Sequence, residues 1–128
     1  MIWGRALSIL IVGIAAYMIL SVRLSVSTPG QFAVAPAEWW VLVRVEPHED
    51  DRWLEVIADG AEYRSSGREL AGADAPRIHQ IWFSSLSQGC YRFRAEIRNG
   101  VRGKVLAHAW APWPLTVIGP DPGGDTCE

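Results

Sequence analysis

Residues 84–100 read SSLSQGCYRFRAEIRNG. A polar turn around Gly89 leads into a strict alternation, with Tyr91, Phe93, Ala95 and Ile97 on one parity and Arg92, Arg94, Glu96 and Arg98 on the other. Successive side chains of a β-strand point to opposite faces, so this stretch predicts a strand with one apolar and one mostly cationic face. Asn99–Gly103 then reads as a turn and Lys104–Trp110 as the hairpin partner.

The same period of two recurs outward from that strand. Val41, Val43 and Val45 alternate with Leu42, Arg44 and Glu46. Pro47–Asp51 is a charged turn, and Trp53–Ala58 follows with Leu54, Val56 and Ala58 on one face. Asp59-Gly60 is a hairpin signal leading to a short strand over Ala61–Ser66. A loop with Gly67, Gly72 and Pro76 is expected to hold a small edge strand near Leu70, and Ile78–Ser84 is the next strand. Pro112 and Pro114 interrupt the last run, which predicts a bulge or an edge before Leu115, Val117 and Ile118. About seven short strands at regular spacing predict an all-β sandwich over residues 38–119, with a tail over 120–128.

Leu86-x-x-Gly89-x-Tyr91-x-Phe93-x-Ala95 resembles the tyrosine-corner approach to strand F of fibronectin type III and related immunoglobulin-like domains. The resemblance implies that the Tyr91 hydroxyl bonds back to upstream backbone and clamps the preceding crossover. That family also carries a core Trp on its second or third strand. Here Trp53 has outward parity, and Tyr63 is the candidate substitute. Under the family topology strands F and G form a hairpin, so Cys127 comes within reach of Cys90. Either a disulfide or two free thiols fits that arrangement. The fold hosts many unrelated roles, so the resemblance implies no function.

The N-terminal region predicts location. Residues 6–22, ALSILIVGIAAYMILSV, carry no charge, and Arg5 and Arg23 bracket them. With Arg5 snorkelling, the stretch reads as a transmembrane signal-anchor helix over residues 1–23. A secretory signal peptide cut near Ser25-Val26-Ser27 is the alternative. Residues 24–37, poor in charge and holding Pro29, Gly30 and Pro36, read as a tether. All 14 acidic residues lie from Glu38 onward, which favours a cytoplasmic N-terminus and an exported domain on the periplasmic or extracellular side.

A net charge of −2 gives no basic surplus for duplex nucleic acid. The two cysteines lack CxxC spacing, and His48, His79 and His108 fall on three separate elements, so no zinc site is expected. A loose Ca²⁺ site at Glu49–Asp51 stays an option, though the stretch lacks the ligand alternation and glycine of known loops. No Gly-x-Ser-x-Gly, phosphate loop or paired Ser and His is present, so neither catalysis nor a cofactor is expected. The candidates for partner binding are Arg92, Arg94, Arg98, Trp110 and Trp113 on one hairpin, and Trp39 with Trp40 where tether meets domain. Trp110-x-x-Trp113 beside Arg-x-Arg resembles the Trp/Arg ladder of cytokine-receptor fibronectin domains, with Ala111 and Pro114 in place of its serines. These features fit docking on membrane protein subunits rather than binding a small molecule, while an exported glycan-binding domain using Trp110, Trp113 or Trp82 is the alternative.

Overall fold

The computed structural model describes residues 23–122 and 127. The expected transmembrane helix lies outside the described residues; among those described, no helix is long and apolar enough to cross a membrane.

Among the described residues nine strands form two sheets: β1 (Leu24–Ser27), β2 (Phe32–Val34), β3 (Ala37–Val45), β4 (Trp53–Gly60), β5 (Tyr63–Glu69), β6 (Ile78–Leu86), β7 (Gly89–Arg98), β8 (Val105–Trp110) and β9 (Leu115–Ile118). One sheet has the order β1-β3-β6, and the other β2-β9-β7-β4-β5 with β8 also paired to β7. Only β2 and β9 run parallel; the other pairs are antiparallel. With the strands divided between two facing, mostly antiparallel sheets, the domain is an immunoglobulin-like β-sandwich.

The core follows from alternation. Val41, Val43 and Val45 from the smaller sheet meet Leu54, Val56, Ala58, Phe93, Ala95 and Ile97 from the larger. Phe83 and Phe93 join the two layers, their ring centroids 5.7 Å apart and tilted by 48°. Tyr91 is fully buried, and its hydroxyl donates to Ser87 O at 2.9 Å, closing the turn between β6 and β7. Burial pushes the Tyr91 phenol above its ordinary pKa, so it stays a donor. Gly89, at φ +140°, carries the chain into β7, where a Cβ would strike Ala61.

Several expectations are corrected. The stretch 24–37 is part of the sandwich, with Leu24 and Val26 buried and Ser25 and Ser27 facing out. Pro29 and Gly30 mark the crossing from β1, in one sheet, to β2, in the other. The domain therefore begins at Leu24 rather than at residue 38. Leu70 lies in no edge strand: β5 runs to Glu69, Leu70 N–H bonds to Arg52 O, and a 3-10 turn follows over Gly72–Asp74. Gly72, at φ +61°, has the backbone of Glu49 and the Arg52 guanidinium where a side chain would stand. Tyr63 is 63% exposed; the buried indole is Trp39, on β3. Pro112 and Pro114, which have no N–H to donate, divide the last run into β8 and β9, both against β7.

An ion-paired hydrogen bond joins the start of β1 to the β3–β4 loop. Arg23 Nη2 donates to Asp51, whose other carboxylate oxygen accepts from His48 N–H at 3.0 Å. His79 faces inward on β6 and is almost fully buried, and its Nε2–H donates to Pro76 O at 2.8 Å.

Because Leu24 is a core residue, Leu24→Ala should destabilise the domain by about 2–3 kcal/mol in urea unfolding followed by tryptophan fluorescence. A loss under about 0.5 kcal/mol, the size of a surface change, would return this segment to the role of tether. His79 gives a second expectation. Burial lowers its pKa in the folded state, with the Arg68 charge acting in the same direction and the Pro76 bond opposing. The unfolded chain thus takes up the proton first. This contribution to stability is complete above the unfolded value of about 6.5 and is lost as pH falls below it. Denaturation midpoints from pH 7.5 to 5 should show that decline in the native chain and not in His79→Gln.

Candidate partner-binding face

The outer face of β4, β7 and β8 is built around a single carboxylate. Pairing places Arg94 opposite Ile57 and Trp110, Glu96 opposite Glu55 and His108, and Arg98 opposite Trp53 and Val105. Glu96 is largely buried beneath its neighbours. Arg98 donates to its Oε2 from Nη2 at 2.7 Å and from Nε at 3.2 Å. On the other side, Arg94 Nε lies 3.3 Å from Oε1 in ion-pair contact, without hydrogen-bond geometry. Glu55 faces Glu96 directly but has its own donor, the Trp53 indole N–H at 2.6 Å. The two like charges are therefore met by separate partners, which offsets their cross-strand repulsion.

Above this clamp, Arg94 Cζ stands 5.2 Å from the centre of the Trp110 ring. Such a cation–π contact contributes about 0.5–1 kcal/mol at an exposed site. It also covers one side of an indole that remains 46% exposed. Trp110, Arg94, Glu96 and Arg98 thus form one continuous layer.

The other candidates are distributed differently. Arg92 is exposed one row further along β7, opposite Asp59, with no ion pair or hydrogen bond among the described residues. Trp113 lies between β8 and β9, exposed, and no ring contact joins it to the arginines among the described residues. Trp39 and Trp40 belong to the opposite sheet. Trp39 points into the core, while Trp40 faces outward, half-buried, directly across from Trp82. Leu86 is fully buried and, with Gly89 and Tyr91, forms the turn described above. Cys90 and Cys127 are disulfide-bonded, with Cα atoms 5.3 Å apart. The bond closes a separation of 37 residues, worth nominally about 4 kcal/mol in the chain-entropy account.

The histidines remain apart, and the described residues contain no group of three or more His, Cys, Asp or Glu able to hold a metal ion. The Ca²⁺ option at Glu49–Asp51 is overturned, because Asp51 is buried and its carboxylate is occupied by Arg23 and the His48 N–H. Glu96 as the centre of the layer was legible: it stands two residues from each of two arginines on one strand face. The Arg23–Asp51 pair, 28 residues apart, left no local signal.

Comparison with known proteins gives little to place beside this geometry. The chain matches no protein-family model and no curated protein. Among solved structures it is similar to the CARDB domain of a Pyrococcus furiosus protein, crystallised in complex with di-metal ions. That likeness has a TM-score of 0.48 at 17% identity, over 77% of this chain and 93% of the other.

If Glu96 holds the layer together, Glu96→Gln should leave two arginines short of an anion and cost about 1–3 kcal/mol in chemical denaturation. It should also move Trp110 fluorescence in the folded state. A variant with native stability and native emission would show that the arginines are held by something else.

Proposed function

We propose that the chain is a non-catalytic, membrane-anchored interaction module. Residues 6–22 hold the sandwich on the periplasmic or extracellular side of a membrane, where it serves as a small accessory subunit docked on a larger membrane protein complex. The observation that carries this reading is the exposed end of the outer layer. Arg92 lacks a partner among the described residues, Trp110 is paired with Arg94, the next outward residue of β7, and Trp113 lies in the β8–β9 connection, both indoles being exposed. Tryptophan and arginine are the side chains that most often dominate binding energy at protein interfaces.

Other features support the same reading. The Cys90–Cys127 bond suits an oxidising compartment. Arg23 closes the apolar stretch and β1 begins at Leu24, so the domain is presented close to that segment. The division of β1-β3-β6 from β5-β4-β7-β8, together with the Tyr91 clamp, supports the fibronectin type III-like form of the sandwich.

A second reading is supported by the other sheet. Trp82 is 55% exposed and directly opposite Trp40, which sets two indoles on a flat outer surface of the kind on which sugar rings stack. In that case the domain is an exported glycan-binding module.

Recovery of the full chain from its native membrane in mild detergent tests the first reading. Larger membrane proteins should co-purify. Arg92→Glu with Trp113→Ala should cut their recovery about tenfold, the effect of losing one moderate hot spot. Arg94 is unsuited to this test, because a carboxylate there would face Glu96 and disturb the fold. Unchanged recovery by a folded double variant would remove this face from docking. Saturable quenching of tryptophan emission by cell-wall oligosaccharides would instead favour the second reading.

A further inference from the structure

We propose that the tip of the β7–β8 hairpin, Asn99–Lys104, rests on anionic phospholipid headgroups; this rests on residues 6–22 being a membrane anchor. Strand pairing fixes which end of the sandwich meets the membrane. β1 begins where β3 ends, β4 and β6 begin where β3 ends, and β7 ends at Arg98 opposite the first residue of β4. The apolar stretch joins the domain at Arg23, at this same end. β8 packs beside β1, so the hairpin tip lies next to the point where the chain comes in.

The tip has the composition of a surface that meets headgroups. Val101 is 61% exposed, Arg102 and Lys104 are exposed beside it, and Val105 and Leu106 are partly exposed behind. No acidic residue occurs between Glu96 and Asp121. The turn is also ordered without using these side chains. Asn99 N–H bonds to Lys104 O at 3.2 Å, Lys104 N–H to Asn99 Oδ1 at 2.8 Å, and Gly103 N–H to Gly100 O at 2.9 Å. The two cationic heads and the Val101 methyl groups are therefore left to solvent and available for contact.

Acidic groups do occur at this end. Asp51 is held by Arg23, and Glu46 by Arg77 at 3.2 Å. Glu49 and Asp50 remain on the β3–β4 loop, Asp74 on the β5–β6 loop, and Glu69 at the end of β5, where it lines a shallow pocket with Gly100 and Val101. The tip itself, Asn99–Lys104, carries two cations and no carboxylate, with Glu69 as an acidic neighbour. On an anionic bilayer the hairpin side is drawn down, because attraction of basic groups acts only within about 8 Å of the surface.

The test uses the full chain with Val101→Cys carrying an environment-sensitive fluorophore, in lipid nanodiscs of phosphatidylcholine with or without phosphatidylglycerol. The native cysteines are bonded to each other, so the label is unique. Tyr63→Cys, at the opposite end of the sandwich, is the control. The expected result is blue-shifted emission and quenching by headgroup-region spin labels at 101 and not at 63, stronger with phosphatidylglycerol. Arg102→Glu with Lys104→Glu should remove the phosphatidylglycerol gain, about fivefold per cation in contact equilibrium. An inserted chain whose 101 label is as wet as its 63 label overturns the proposal, and equal contact in both lipids overturns the anionic assignment. A chain that never enters the discs refutes the anchor reading itself, and the headgroup contact with it.

Discussion

The ladder that β7 makes along both edges is the constraint on which the larger sheet depends. On one side it pairs with β4 over eight consecutive positions, from Gly60–Tyr91 to Trp53–Arg98; on the other its length is shared between β9 and β8. A strand held on both edges cannot slip by one residue without exchanging its faces. Tyr91, Phe93, Ala95 and Ile97 are thereby committed to the core, and Arg92, Arg94, Glu96 and Arg98 to the outside. The core and the candidate site are two faces of one registration.

The outer layer shows how charge is accommodated on a sheet surface. Two arginines flank one carboxylate, an indole covers one of them, and a second indole satisfies the facing glutamate. Exposed ion pairs contribute little individually. Here partial burial of Glu96 and mutual packing hold the side chains in place. The β6 edge of the smaller sheet is treated in a related way. Arg64 donates to Ser84 O at 2.9 Å and Arg68 to Gln80 O at 3.3 Å, so carbonyls of β6 are engaged from β5. This hinders edge-to-edge pairing with another chain.

Legibility followed the length of each alternating run. β7 was readable because eight residues of strict alternation leave little room for another structure, and the end of β3 because Val41, Val43 and Val45 repeat that period. Leu24-Ser25-Val26-Ser27 alternates in the same way, yet four residues beside Pro29 and Gly30 read equally well as linker. Its burial is decided by β3, whose free edge it completes. Leu70 fails for a different reason. A single apolar residue in a glycine-rich loop carries no period, and its burial comes from the turn that folds it under Arg52.

By itself the sequence determined the two-faced strands, their turn chemistry and the uncharged stretch before Arg23, since each depends on neighbours within a few positions. The tertiary structure alone decided which distant side chains meet. Arg23 with Asp51, Arg77 with Glu46 and Trp40 with Trp82 are joined across 28 or more positions by strand registers that no local pattern contains. It also separated Trp39 from Trp40, adjacent in the chain, because the pleat turns consecutive side chains to opposite faces and only packing of the second sheet decides which face is the inside.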